Sequence, residues 1–382
     1  MNTYYPAHSI QLIYSGENFF EHLGELVDSA KEYIHIQTYI LEEDATGKLI
    51  CDKLKAASAR GVKVFLLADA YGSKELSVDF KQALLLAGIR FRLFSPLFSP
   101  ESIYLGRRLH HKIAVADKQN AIIGGINIAD KYRGTGNEKA WLDYAVQVKG
   151  NVCEYLHDLC ESIYERKNFK AKKYNGNDGS PAHLVRFRRN DRIRAKNEVH
   201  HSYREALTGA EHSVIIVASY FLPGYTFRKM LKRAKKRGVD IRIILAGRSD
   251  LPWLKRAEKF LYRFFWKHAI GIYEWPDSVL HGKAIMVDDR WITIGSYNVN
   301  HLSRYRSIEL NADIKYEALA MEFKEHLERV ISTSCIEVTE QRYRPSRLQS
   351  LRNSIAYYYY RLLMRLLLPK RKPIPVPGRR NS

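Results

Sequence analysis

HHKIAVADKQNAIIGGIN, residues 110–127, and HGKAIMVDDRWITIGSYN, residues 281–298, obey one spacing rule: His-x-Lys, four residues, Asp, six residues, then Gly-(Gly or Ser)-x-Asn. Five positions each held to one residue type arise by chance about once in a million start points at ordinary amino-acid frequencies, so two copies in one chain mark an internal repeat. His and Lys at i and i+2 project from one face of a strand, and IAVA or AIMV continues that strand into a core. Asp117 and Asp288 then fall at the strand-ending turn, and AII before GGIN, or ITI before GSYN, reads as a second buried strand. The hairpin returns Asn127 and Asn298 beside the His and Lys of their own copy. Each copy thereby offers a proton carrier or nucleophile, a fixed cation and an amide donor, the parts needed to handle a phosphate ester.

The repeat extends outward from the motifs. EYIHIQTYI is an alternating strand, ATGKLICDKLKAASARG an amphipathic helix ending at Gly61, and VKVFLLADA a second strand. HSVIIVASYF, YTFRKMLKRAKKRG closing at Gly238, and VDIRIILAG repeat that order. Strands alternating with helices predict an α/β fold of two lobes, each a mixed, largely parallel sheet flanked by helices. The expected divisions are a first lobe over 1–165, a basic connection over 166–198 with a surface stretch near Asn175 to Ser180, a second lobe over 199–340, and a tail over 341–382. ALAMEFKEHLERVI is the helix expected to finish the second lobe.

These motifs resemble the HKD motif of the phospholipase D superfamily. QTYILEEDATGKLICDKLKAASARGVKVFLLADAYGS and VASYFLPGYTFRKMLKRAKKRGVDIRIILAGRSD, taken with them, look like bacterial cardiolipin synthases over about residues 10 to 335. The resemblance implies two lobes related by a pseudo-twofold axis with both motifs at their interface. Many such synthases carry two hydrophobic helices at the N-terminus, whereas this sequence starts with MNTYYPAHSIQLIYSG. The implied chemistry is phosphatidyl transfer between two phosphatidylglycerols through a phosphohistidine, with His110 as nucleophile and His281 as acid and base. Lys112 and Lys283 would bind the nonbridging oxygens, helped by Asn127 and Asn298, with Ser296 within reach of the phosphate. Asp117 and Asp288 complete the motifs and are read mainly as turn-fixing groups.

A nucleophilic imidazole needs its second nitrogen held. Asp143, 33 residues after His110, and Glu309, 28 after His281, sit on apolar strands where a lone carboxylate is costly to bury, and the resemblance points to both as His-orienting acids. No His-Glu-x-x-His or carboxylate cluster suggests a metal, so neither metal nor cofactor is expected. His111 should face the opposite side of its strand.

The formal net charge is +21 over 382 residues, and the stretch from Gln341 onward holds eleven Lys or Arg and no acid. Such a tail seeks an anionic surface, either a bilayer or nucleic acid. Leu348, Leu351, Ile355, Tyr358, Leu362 and Leu366 recur at helical spacing, interrupted by Arg347, Arg352, Arg361 and Arg365, and this core is too short and too charged to span a bilayer. A cationic helix lying in the interface is expected, with a helix packed on its own protein as the alternative. PIPVPGRRNS reads as disordered. In LPWLKRAEKFLYRFFWKHAIG, Trp253, Phe260, Phe264 and Phe265 either form a lip beside the site or face the core. No run of 18 apolar residues and no signal segment is present, so a peripheral protein on the cytoplasmic face of the membrane is expected. Four cysteines are too few for a disulfide framework, and Cys153 and Cys160 beside His157 lack the second ligand pair of a zinc site. One chain holds both half-sites, so no obligate protein partner is expected. A hydrolytic phospholipase D, or a nuclease using the same paired site, is the competing function. Nucleic acid is the less expected partner, because the charge coincides with a Leu- and Tyr-rich helix.

Overall fold

The computed structural model describes residues 3–96, 107–136, 138–169, 180–191 and 194–367. The first half runs β1 (Tyr5–Ala7), β2 (Ser9–Tyr14), α1 (Glu17–Ser29), β3 (Tyr33–Thr38), α2 (Ala45–Ala59), β4 (Lys63–Asp69), α3 (Val78–Leu86), β5 (Arg90–Phe94), β6 (Arg108–Leu109), β7 (Lys112–Ala116), β8 (Asn120–Gly124), α4 (Asp130–Arg133), β9 (Tyr144–Lys149) and α5 (Glu154–Tyr164). The second half opens with β10 (Ser180–Asp191), β11 (Lys196–Asn197), α6 (Glu198–Gly209), β12 (Ser213–Ala218), α7 (Tyr225–Lys236), β13 (Asp240–Arg248), α8 (Pro252–Phe260) and α9 (Tyr262–Lys267). It closes with β14 (Gly271–Val279), β15 (Lys283–Val287), β16 (Trp291–Gly295), α10 (His301–Tyr305), β17 (Ser307–Lys315), α11 (Glu317–Thr333), β18 (Ile336–Glu337) and α12 (Arg347–Leu367).

Two mixed sheets carry the repeat. The first has the order β2-β9-β8-β7-β3-β4-β5, and the second contains β10-β17-β16-β15-β12-β13-β14, the same path strand for strand. In each, two parallel pairings join the βαβα strands, and antiparallel pairings join the motif hairpin to the sheet. Buried on both faces, β7 and β15 read as continuous apolar runs. Ile113 and Val115 point into a central core shared with Ala284 and Met286 of the second sheet. Ala114 and Ala116 face the outer core under α1 and α2. The layers are therefore helix, sheet, sheet, helix, with the motif strands at the centre. Gly61 and Gly238, both at φ +92°, end α2 and α7 in the left-handed conformation that glycine adopts without strain.

One of the expected divisions shifts. Residues 180–191 of the expected connection form β10, which pairs with β17 from Leu184↔Lys315 to Asn190↔Glu309, while the stretch from Asn175 lies outside the described residues up to Ser180. The strand was hidden by its charge. Val185 and Phe187 enter the core, while Arg186 and Arg188 converge on buried Asp313, with Arg186 Nε 3.0 Å from Asp313 Oδ2. β1 of the first half also joins this second sheet, alongside β10.

The tail forms one helix within its expected bounds, packed on the protein as in the expected alternative and with its apolar stripe left outside. α12 packs on the second lobe: Tyr357, Tyr360 and Met364 enter its outer core, and Phe260 stacks on Tyr357 at 4.4 Å. Leu348, Leu351, Ile355, Tyr358, Leu362 and Leu366 lie on the other side of the helix, each 55% to 74% exposed. Phe265 is core, Phe260 and Phe264 pack at its edge, and Trp253 remains 38% exposed. The segment PIPVPGRRNS lies outside the described residues. None of the described helices is long and apolar enough to cross a membrane.

Candidate active site

The two lobes exchange short segments at their interface. β6, immediately before motif one, pairs in parallel with the start of β17 in the other lobe, and His110 and His111 donate backbone N–H groups to the Ile308 carbonyl, 3.0 Å each. In the mirror arrangement, His281 and Gly282 donate to the Leu142 carbonyl of the first lobe at 2.8 and 3.0 Å. Each motif histidine is therefore held by the segment of the opposite lobe that bears the acid, the start of β17 for His110 and the residues leading into β9 for His281.

The consequence is a crossed pairing. His110 Nδ1 lies 2.9 Å from Glu309 Oε2, and His281 Nδ1 lies 2.6 Å from Asp143 Oδ2. In sequence each acid follows the other motif, yet the fold joins groups 199 and 138 residues apart. Both carboxylates are fully buried. With Nδ1–H donated to a carboxylate, Nε2 of each imidazole is left for chemistry.

The lysines complete the set. Lys112 Nζ donates to the His110 carbonyl at 2.5 Å, and Lys283 Nζ to the His281 carbonyl. Lys283 Nζ also stands 2.7 Å from His281 Nδ1 and 3.7 Å from Asp143 Oδ2, so carboxylate and ammonium crowd one ring nitrogen; the carboxylate accepts its proton and the carbonyl satisfies the lysine. Burial, with Lys283 adding repulsion, brings the Lys112 ammonium down to about 7, and burial brings Lys283 down to about 8 against the pull of Asp143. Burial also lowers His110, opposed by Glu309, and lowers His281 well below its usual value, reinforced by Lys283 and Lys112. It pushes Asp143 up to about 6, with Lys283 opposing. Two lysines, protonated below these values, and two imidazoles held toward their neutral form thus share one interface, a field arranged for an anion.

The remaining motif residues divide by position. Asn127 is tied inward: its Oδ1 accepts from the Ile40 backbone at 3.0 Å and its Nδ2 donates to the Tyr132 hydroxyl at 2.7 Å. Asn298 Oδ1 accepts from Ser219 Oγ at 2.8 Å, and its Nδ2 has no partner among the described residues. Ser296 Oγ donates to Glu309 Oε2, the same oxygen that holds His110. Asp117 accepts the backbone N–H groups of Lys31, Glu32 and Tyr33, and Asp288 those of Glu211, His212 and Ser213, all at 2.8 to 2.9 Å. Their φ values of +49° and +51° mark tight turns five residues from the lysines, roughly 16 Å along the strand. His111 turns away to Gln37 Oε1 at 2.8 Å.

Several further groups shape the site. Gly125 occupies the place that Ser296 holds in motif two, and a Cβ there would stand 2.3 Å from Asp143 Oδ1. Only glycine lets Asp143 approach. Tyr39 lies 5.0 Å from the His110 ring, and Tyr132 and Trp141 lie 5.2 and 5.8 Å from His281. Tyr220 donates to Asp250 Oδ1 at 2.6 Å, and Asp250 acts electrostatically on both Lys283 and Tyr132. The duplicated TYI and SYF stretches offered the only sequence signal for Tyr39 and Tyr220.

Residues 23–158 and 203–331 match the family described as "Cardiolipin synthase, PLD-like domain". The chain is 34% identical over 346 residues to cardiolipin synthase B of Shigella flexneri and to that of Escherichia coli K12, covering 87% of this chain and 83% of each relative. It is 26% identical over 375 residues to cardiolipin synthase 1 of Bacillus anthracis, covering 94% and 72%. The crystal structure of phosphatidylserine synthase from Haemophilus influenzae shares the fold, with a TM-score of 0.76 at 14% identity, covering 96% of this chain and 98% of that one. The chain belongs to the cardiolipin synthase, PLD-like family of phospholipase D-fold enzymes.

Proposed function

We propose, from that membership, that this enzyme is a cardiolipin synthase that transfers a phosphatidyl group from one phosphatidylglycerol to another. The observation that carries the reading is the crossed site: two imidazoles, each with Nδ1 held by a buried carboxylate of the opposite lobe, facing two ammonium groups. His110 Nε2 attacks phosphorus while the phosphorus–oxygen bond to glycerol breaks, and His281 gives its Nε2 proton to the leaving oxygen. A phosphatidyl-His110 and free glycerol result. The hydroxyl of a second phosphatidylglycerol then loses its proton to His281 and attacks phosphorus, the phosphorus–nitrogen bond breaks, and cardiolipin leaves. Lys112, Lys283 and the free amide of Asn298 stabilise the nonbridging oxygens, which gather charge in the transition state. The incoming anion raises His281 toward its acid form by offsetting the two ammonium groups.

Glu309 and Asp143 act as positioning residues, and Ser296 acts through Glu309. Asn127, Asp117 and Asp288 hold the hairpins. The enzyme acts as a peripheral protein on the cytoplasmic face, with the outward stripe of α12 entering the interface and Arg347, Arg352, Arg361 and Arg365 meeting anionic headgroups.

Incubation with phosphatidylglycerol vesicles should yield cardiolipin and glycerol in equal amounts, with phosphatidic acid as the minor, hydrolytic product. Turnover that survives His110→Ala, or DNA cleavage without lipid turnover, would replace this reading. Ile355→Glu with Leu362→Glu should weaken flotation on anionic vesicles without lowering Tm, since both side chains are more than half exposed.

A further inference from the structure

The two lobes end alike but treat one corner differently. In the first lobe the N-terminus of α2 is closed by the chain's own carboxylates: Asp44 Oδ1 accepts from Gly47 N at 2.8 Å, and Asp130 Oδ1 accepts from Thr46 N at 2.8 Å. Asp44 Oδ2 in turn takes the Asp130 N–H at 2.6 Å. The matching helix of the second lobe, α7, starts at Gly224, which has no side chain to cap it. His301 stands in the place of Asp130, 171 residues on, the same offset that separates His110 from His281. The repeat has exchanged two carboxylates for a glycine and an imidazole.

What surrounds α7 instead is basic. A cavity of about 460 Å³ opens between α7, α10 and α12, and its wall includes Arg228, Arg304, Arg361, His200 and His301 but no Asp or Glu. The guanidinium groups lie over rings, Arg228 5.5 Å from Phe264, Arg304 5.2 Å from Tyr305 and Arg361 5.8 Å from Tyr357, and none has an ion pair among the described residues. Arg304 Nε is enclosed without a partner among the described residues. His200 lines the cavity at 9% exposure, and its ring nitrogens have no hydrogen bond among the described residues. Gly224 to Arg228 line the same wall, so the positive end of a 12-residue helix without a side-chain cap lies at the cavity. Burial, with Arg304 adding repulsion, holds His200 down to about 4, so the charge there comes from arginine.

We propose that this cavity is a second phosphate-ester site, apart from the paired-motif centre, that holds the headgroup phosphate of an anionic phospholipid. The phosphate takes the place that Asp44 and Asp130 fill in the first lobe: its oxygens accept from the α7 amides and from the three arginines. Lipid is the source because Tyr357, Tyr360 and Arg361 of the cavity wall belong to α12, whose opposite side bears the exposed apolar stripe. That choice of source rests on the membrane reading above; the anion chemistry does not. A lipid held here fixes the depth and tilt of the second lobe on the bilayer without occupying the catalytic histidines.

The test uses the full chain and separates the two sites. Lys283→Ala weakens the catalytic centre for inorganic phosphate, and the second site should still bind it in calorimetry. Adding Gly224→Asp supplies the missing cap. That aspartate should raise Tm, as an N-cap does, and abolish the remaining phosphate binding, whereas Gly224→Ala, whose Cβ meets only the His301 ring at 3.6 Å, should keep it within about three-fold. Arg304→Gln should weaken phosphate roughly ten-fold, the usual cost of one charge-assisted hydrogen bond. Phosphate binding that Gly224→Asp leaves as strong as in Lys283→Ala alone overturns the site. On vesicles, Gly224→Asp alone should lower partition onto phosphatidylglycerol several-fold and leave partition onto phosphatidylcholine unchanged. Lost phosphate binding with undiminished partition onto phosphatidylglycerol assigns the cavity to a soluble phosphate ester and overturns the lipid source.

Discussion

Glu309→Gln and Asp143→Asn should separate the two halves of the reaction, and in an order that only the crossed pairing predicts. Each substitution keeps size and removes one negative charge from a fully buried position. The hydrogen bond from His110 to Glu309 is 2.9 Å and that from His281 to Asp143 is 2.6 Å. A charge-assisted bond of this kind contributes about 1.5 to 3 kcal/mol, which corresponds to roughly 10- to 150-fold in rate when it must strengthen as the imidazole gains positive charge. The assay is rapid-quench turnover of radiolabelled phosphatidylglycerol, with glycerol release followed in time and the phosphohistidine located by digestion and mass spectrometry. Glu309→Gln should slow labelling of His110 by about two orders of magnitude. Asp143→Asn should leave His110 able to take the label from a substrate with a good leaving group and should slow its discharge, so that the intermediate accumulates. If His110 carries the label and Asp143→Asn, not Glu309→Gln, prevents its formation, the cross-lobe assignment is wrong.

Four further outcomes follow from the same geometry. Because the free site holds Lys112 near 7 and Lys283 near 8, kcat/KM on dispersed phosphatidylglycerol should fall as pH rises through that window, and Lys112→Arg, which stays charged, should move the alkaline limb upward. The sign for stability is opposite: the unfolded chain holds protons on these lysines up to about pH 10.4, so the folded state gains stability between about pH 7 and 10, and Lys112→Met should flatten that slope in thermal melts. Gly125→Ser forces a Cβ to within 2.3 Å of Asp143 Oδ1 and should cost at least 100-fold in kcat, whereas Ser296→Gly removes one donor from Glu309 and should cost about ten-fold, so kinetics should show the matched positions to be unequal. Asp288→Ala leaves three backbone N–H groups without their acceptor and should lower unfolding free energy by about 2 to 3 kcal/mol in urea, with kcat of the folded fraction changed less than three-fold.

Much of this protein is legible in one dimension. The doubled spacing of His110, Lys112, Asp117 and Asn127 with His281, Lys283, Asp288 and Asn298 names the residues, and period-2 and period-3.6 hydropathy places them on hairpins within a strand–helix order that both lobes repeat. These are local properties, set by which faces of an element must leave water. The charged strand β10 escaped that reading because Arg186 and Arg188 are buried against Asp313, and a hydropathy pattern records polarity without recording partners. The stripe of α12 was visible and expected to face an interface, but not that a tyrosine face on the other side would pack on the core.

The site itself was decided in three dimensions. Sequence placed Asp143 after His110 and Glu309 after His281, and proximity along the chain suggests those couples. Packing the two sheets face to face puts each motif's approach segment on the other lobe's acid-bearing strand, so the couples exchange. The unequal Gly125 and Ser296 follow from the same packing, because only the assembled interface sets how closely each acid must approach its strand neighbour. Alternation along a strand fixes which way a side chain points, but which carboxylate meets it depends on what the opposing sheet brings, and that is a property of the folded pair.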